Sequence, residues 1–292
     1  MARRARRGSV RALARGGPCA GRGADRLTGG DAAAFGRRIL VLCPHPDDEV
    51  VACHAAIGRA KAAGAEVALL FLTHGCVDAG TMWPWARGHY AEVVGLRRAE
   101  GEAAARELGV TVAGWSDRPA RHLWRELVAA EREIRAAVAA HRADQLWTPA
   151  FEGGNPDHDG ANAIAARLGA EGLSVLEFAE YNLAAGKARS HRFPQRNGTE
   201  VLLTLTEAEQ AAKRQALALY ASERGNLGYV GVAREVFRPL PEHDYGRPPH
   251  PGKLWYARFQ WVPFRHPGVD FTDPADVTRA LSAYAGAIRR PG

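Results

Sequence analysis

The stretch Pro44-His45-Pro46-Asp47-Asp48-Glu49 packs one imidazole and three carboxylates into six residues. His45 and Asp48 are three apart, so a tight turn can aim both at one ion. Imidazole plus carboxylate is a donor set for zinc or ferrous iron. Asp47 lies between them and points elsewhere, free to act on a water at the metal. Pro44 and Pro46 fix φ and remove two backbone donors, which stiffens the turn. Carboxylates are also favoured at the positive end of a helix dipole. That ordinary reason accounts for Asp48 and Glu49 but not for His45 between two prolines. A second polar turn, Glu152-Gly153-Gly154-Asn155-Pro156-Asp157-His158-Asp159, offers candidates for a third ligand.

Both turns follow apolar runs. Ile39 to Cys43 is apolar throughout and partly β-branched, which predicts a buried parallel strand over 38–43. A helical pattern over 49–63 follows, ending at Gly64. The His and the carboxylates therefore sit where the first strand gives way to a helix, and open α/β sheets place ligand sites there. The second turn follows a strand over 145–149 and precedes a helical pattern over 161–168, so the two turns can meet in one crevice. Further strands are read over 66–73, 110–115 and 174–178, and helices over 91–108 and 121–141. This alternation through residue 180 predicts an α/β, Rossmann-like three-layer fold with a mostly parallel sheet. The first turn holds no GxGxxG, which excludes a dinucleotide fold.

The remaining elements frame a pocket. The Gly/Trp-rich loop 75–90 at a strand's carboxyl end suits a substrate lid. Its Trp83 and Trp85 either stack on a sugar ring or acyl group or pack the loop down. Glu152 either faces the pocket or is a solvated turn residue, and Glu180 and Tyr181 are further pocket candidates. Beyond 183 the pattern predicts a strand over 200–205, a helix over 207–222 capped by Thr206, and a loop-rich stretch over 225–252. The aromatic run at 254–262 (Trp255, Tyr256, Phe259, Trp261) reads as core. The expectation is a single domain over 37–292, with a core at 37–180 and a C-terminal elaboration at 181–292.

PHPDDE after the first strand, paired with the late Pro156-Asp157-His158, resembles the PIG-L/LmbE-like zinc-dependent N-deacetylases. Arg97-Arg98-Ala99-Glu100 and Asp117 after the third strand add to the likeness, which covers residues 37–180 well. The resemblance implies a hydrolase that removes an N-acetyl or other N-acyl group from an amino-sugar conjugate. It implies His45, Asp48 and His158 as ligands of Zn2+, with Fe2+ also compatible with this donor set. It implies Asp47 as general base toward a metal-activated water, and Arg97 and Asp117 as contacts to sugar hydroxyls or a neighbouring phosphate. Where the family has HPDH, this chain has Asn155-Pro156-Asp157-His158. Asn155 can donate a hydrogen bond to an oxyanion but cannot transfer a proton. Two alternatives follow: a metal-containing glycan- or glycolipid-binding protein without turnover, and an amidase acting on a different N-acyl conjugate.

Composition narrows the classes further. The 292 residues are 46% hydrophobic, enough for a full core, and carry a net charge of +7. Residues 1–36 hold eight Arg, no Lys and two Asp, or +6, so the rest of the chain carries +1 (7 − 6). That body has no basic stripe, which argues against a nucleic-acid partner. The Arg/Gly/Ala-rich tail over 1–36 reads as disordered, and no apolar run is long enough to span a membrane. The partner expected is a small N-acetylated sugar conjugate. Four cysteines without a CxxC pair suit a reduced, cytoplasmic protein.

Overall fold

The computed structural model describes residues 35–264, 266 and 268–287. The expectation of a disordered tail over 1–36 falls almost wholly outside these residues. Five strands form the parallel part of the sheet: β1 (Arg38–Cys43), β2 (Glu66–Phe71), β3 (Thr111–Trp115), β4 (Gln145–Pro149) and β5 (Ser174–Phe178). Helices α1 (Asp48–Ala62), α2 (Tyr90–Leu108), α3 (Leu127–His141) and α4 (Pro156–Ala170) connect them. A small ribbon pairs β6 (Tyr181–Asn182) with β7 (Arg189–Ser190). Then come β8 (Val201–Thr204), α5 (Glu207–Leu217), β9 (Arg234–Pro239) and α6 (Pro274–Gly286). The main sheet has seven strands in the order β3-β2-β1-β4-β5-β9-β8, with β9 antiparallel to β5 and β8 antiparallel to β9. This is the mostly parallel α/β architecture expected from the sequence.

Strand alternation splits the core into two layers. Ile39 and Val41 of β1 face Val50 and Ile57 of α1 and Leu108 of α2. Leu40 and Leu42 face Ile134 of α3, Ile164 of α4 and Leu281 of α6. Both faces of β1 are covered, which is why its sequence is apolar at every position.

Several boundaries differ from the sequence reading. Helix α4 starts at Pro156 rather than at 161, because Pro suits the first helical position and Asn155 caps the helix. His158 therefore lies in a helical first turn. Helix α3 starts at Leu127, since residues 121–126 form a loop with a short 3-10 turn at Leu123–Arg125. Helix α5 ends at Leu217 rather than 222, after the expected Thr206 capping box. The stretch read as loop-rich contains β9, a full member of the sheet.

Candidate active site

β1 and β4 are parallel neighbours, and the strand order reverses at that pair. Their following loops diverge to opposite faces and leave a crevice between them. The β1 loop delivers His45, Asp47 and Asp48; the β4 loop delivers Asn155, Asp157 and His158. Thr73, at the end of β2, donates from its hydroxyl to the Pro44 carbonyl at 2.7 Å and steadies the first loop. Gly154 allows the second loop to pass against the Tyr181 carbonyl, where a Cβ would collide.

Three donor atoms converge. His45 Nδ1 lies 3.1 Å from His158 Nε2, and Asp48 Oδ1 lies 3.3 Å from that same nitrogen. All three ligand atoms fall within 4.8 Å of one another. Two imidazole nitrogens on one tetrahedral zinc, at roughly 2.0–2.1 Å each, stand about 3.3 Å apart. The spacing, the near-complete burial and the mixed N/O chemistry all fit a divalent cation. The Nδ1 of His158 is buried without a hydrogen bond, 3.8 Å from Glu180. Asp157 accepts from the backbone N–H groups of Arg121 and Leu123, and its Oδ2 lies 3.2 Å from His45 Nε2. A carboxylate there holds the proton on Nε2 and leaves the Nδ1 lone pair facing the other donors.

Charge explains the protonation tendencies. Burial alone would push the Asp48 carboxyl up, but His158 and His45 bring it below the usual range. Burial opposes a charged His158, yet the neighbouring Asp48 raises its imidazole above the ordinary value. Burial pushes Asp47 well up, against the pull of Arg97. Glu180 also rises well above the carboxylate range, through burial and the nearby Asp48 and Glu152.

Asp47 stands at the N-cap of α1 with φ 135°, a region that L residues rarely occupy. Arg97 of α2 is 2% exposed and holds it there. Its Nη2 donates to the Pro46 carbonyl at 2.5 Å and reaches Asp47 Oδ2 at 3.4 Å. Its Nη1 donates to the Ser222 hydroxyl and lies 3.5 Å from Glu223 and 3.8 Å from Glu100. Gly75, at φ 76°, leaves room for this guanidinium, since a Cβ there would lie 2.8 Å from Pro46 Cδ and 3.0 Å from Arg97.

The triad opens onto a cavity of about 620 Å3. His45, Asp47, Asp48, Arg97, Asn155 and Glu180 contribute to its wall. Asn155 accepts from Asp157 N–H through Oδ1 at 2.9 Å, so its Nδ2 donor is the end left toward the cavity. His158 is 1% exposed and stands behind the wall. Other residues singled out from the sequence lie elsewhere. Asp117 is exposed and outside the lining. Trp83 and Trp85 stack on each other at 5.2 Å, 38% and 74% exposed, while the adjacent Met82 reaches the cavity. Glu152 neither faces the cavity nor meets solvent: it is fully buried and accepts from Glu180 N–H, Tyr181 N–H and the Asn182 amide. Burial pushes its carboxyl up to about 8.

Sequence reasoning missed Asp157, although it lies inside the quoted motif, and it missed the far wall. Trp255, Tyr256, Arg258 and Phe259, beyond the family-like segment, line the cavity, and Tyr256 alone of the four run aromatics is buried. The Arg258 guanidinium sits 4.3 Å and 4.6 Å from the Trp255 and Phe259 ring centres. An aromatic run gives no sign of which members will be core and which will be wall.

Three solved structures share the fold. A deacetylase of the teicoplanin biosynthesis pathway, in complex with bog, is 21% identical with a TM-score of 0.56, covering 69% of this chain and 97% of that one. The A40926 pseudoaglycone deacetylase Dbv21 is 21% identical with a TM-score of 0.54, covering 70% and 96%. The zinc-inhibited form of teicoplanin deacetylase Orf2 is 18% identical with a TM-score of 0.50, covering 69% and 97%. No curated protein matches the chain. Residues 40–169, which run from within β1 to within α4 and hold every member of the triad, match the PIG-L family described as GlcNAc-PI de-N-acetylase. That segment of the chain, which holds all three candidate ligands, is thus similar to the PIG-L/LmbE-like N-deacetylases, and the fold around it is shared with solved deacetylases.

Proposed function

We propose that this protein is a metal-dependent hydrolase that removes an N-acetyl, or other short N-acyl, group from an amino-sugar conjugate. The observation that carries the reading is the convergence of His45, Asp48 and His158 beside Asp47, at the floor of a polar cavity. The family match over residues 40–169 supports the reaction class. His45 Nδ1, Asp48 and His158 Nε2 would hold the divalent cation, which, when bound, supplies Lewis acidity toward water and the amide carbonyl.

The chain's own groups do the rest. Asp47 takes a proton from the attacking water, and burial raises its affinity for that proton. Arg97 keeps the Asp47 carboxylate aimed into the cavity and is a positioning residue in this reading. Asn155 donates from Nδ2 to the oxygen that gains charge as the amide carbon becomes tetrahedral. The protonated Asp47 then gives its proton to the departing amine, since Asn155 has none to give. Asp157 holds the tautomer of His45.

The test is amine release from a panel of N-acetylglucosamine conjugates carrying acetyl or longer acyl groups. Wild type should release amine, and Asp47→Asn should lower kcat by about 10^2–10^4-fold while keeping its metal. Full activity in Asp47→Asn would remove the assigned base. Metal binding with no turnover on any acyl length would favour the non-catalytic glycan-binding reading.

A further inference from the structure

Glu180 lies just past the end of β5, lines the cavity and is 1% exposed, but takes no part in the proton transfers assigned to Asp47. Its backbone is pinned from both sides. The Glu180 N–H donates to Glu152 Oε1 at 2.7 Å, and the Glu180 carbonyl accepts from the His191 N–H at 2.8 Å. Glu152 belongs to the turn that leads into α4, so these bonds hold the end of β5 against the helix that carries His158. The side chain is treated differently. Among the described residues its Oε1 is buried without a hydrogen bond, and so is the Nδ1 of His158, 3.8 Å from Glu180 Oε2. Buried polar atoms nearly always find partners. A buried carboxyl without them opposes folding, so stability does not explain why Glu180 stands beside this imidazole.

We propose that Glu180 is a positioning residue of the metal site: its carboxyl accepts the Nδ1 proton of His158 and so turns the Nε2 lone pair toward His45 and Asp48. His158 Nε2 is the nitrogen that joins the triad. A ring that offers Nε2 to a cation carries its proton on Nδ1, and that N–H needs an acceptor. The 3.8 Å separation is about 0.9 Å longer than a typical N–H···O bond of about 2.9 Å. The Glu180 side chain borders open cavity and can rotate through that distance without moving the pinned backbone. A carboxyl oxygen accepts whether or not the other oxygen carries a proton, so the contact does not depend on how Glu180 titrates. Position argues against a fourth ligand. Glu180 meets His158 at the nitrogen turned away from the triad and is not among the residues whose donor atoms converge. His45 has the same support already in place, since its outer nitrogen Nε2 lies 3.2 Å from Asp157 Oδ2. Carboxylates at the outer nitrogen fix a ligand's tautomer and ring orientation and strengthen it as a donor. Both imidazoles are then backed by a carboxyl, one from the turn after β4 and one from the end of β5. The inference rests on the triad of the proposed function and not on its acyl substrate.

The experiment challenges the zinc-loaded full chain with a chromophoric chelator and reads zinc affinity for wild type, Glu180→Gln and Glu180→Met. Thermal unfolding of each protein without zinc is measured alongside. Met resembles Glu in length and offers no strong acceptor, so Glu180→Met should weaken zinc binding by about 10–100-fold. Without zinc it should unfold no lower than wild type, because the carboxyl it replaces was unsatisfied. Glu180→Gln keeps an accepting oxygen and should stay within about tenfold of wild type. Wild-type affinity in Glu180→Met overturns the proposal. An equal loss in both variants also overturns it, since Glu180 would then act as a nearby charge and not as an acceptor. A zinc-free Glu180→Met that unfolds well below wild type would give the carboxyl a structural role and overturns it as well. Zinc bound without amine release from any conjugate would remove the proposed hydrolysis and leave these affinities as they are, whereas a wild type without zinc affinity would remove both.

Discussion

Asp47 shows how much of the site is held by neighbours rather than by its own sequence. At φ 135° it sits where an isolated Asp would not stay, and such strain persists only when the surroundings over-determine it. Arg97 supplies that hold from α2, fifty positions away. Arg97→Ala should therefore lower kcat by about tenfold or more with little change in KM, because it disorders the base rather than a substrate contact. A rise in KM at constant kcat would return Arg97 to the substrate-contact role that the family resemblance implies. Asp157 acts on His45 in the same indirect way. Asp157→Asn should weaken metal affinity by about 10–100-fold, measured by competition with a chelator, while His45 stays in place. Residue types and spacing were enough to single out His45, Asp48 and Asp47, and the family resemblance added His158. They could not say that Arg97 is buried under Glu223 and Ser222, or that Glu152 serves backbone N–H groups, because those partners come from distant segments, the turn after α5 and the end of β5.

Elements were legible where burial is uniform and illegible where it is mixed. β1 announces itself because both its faces are covered by apolar helices. β9 hides because two of its buried residues are charged: Glu235 accepts from Lys213 at 2.9 Å and from the Ala55 and Ala56 N–H groups, and Arg238 donates to Glu177 at 2.6 Å. Paired ions inside a strand erase the hydrophobic pattern that would reveal it. The α5 capping box was readable, and its Glu209 also carries a prediction. Arg59 of α1 donates to both Glu209 oxygens at 2.8 Å, which ties α5 to the sheet-side helix and, through these hydrogen bonds, lowers the carboxyl to about 2. The folded pKa lies below the unfolded value, so the stabilisation is present above about pH 4.5 and is lost as pH falls toward 2. Glu209→Gln should accordingly lower the unfolding temperature by about 2–4 °C at pH 7. The gap from wild type should vanish near pH 2. An equal gap at both values would mean that Glu209 acts by packing and not by charge.

At the scale of the whole molecule, the reversal of strand order between β1 and β4 brings together two turns more than a hundred residues apart, and with them the candidate ligands His45, Asp48 and His158. The C-terminal residues, whose sequence carries no motif, close the cavity with Trp255, Arg258 and Phe259. The account's central claim is that the triad holds the metal on which hydrolysis depends. The direct measurement is a titration of chelator-stripped protein with zinc, following amine release from an N-acetylglucosamine conjugate. Activity should be absent at the start and should return with a break near one equivalent per chain, as expected of a single three-ligand catalytic site. His158→Ala should stay inactive through the same titration. Full turnover in the stripped protein, or equal recovery in His158→Ala, would contradict the claim.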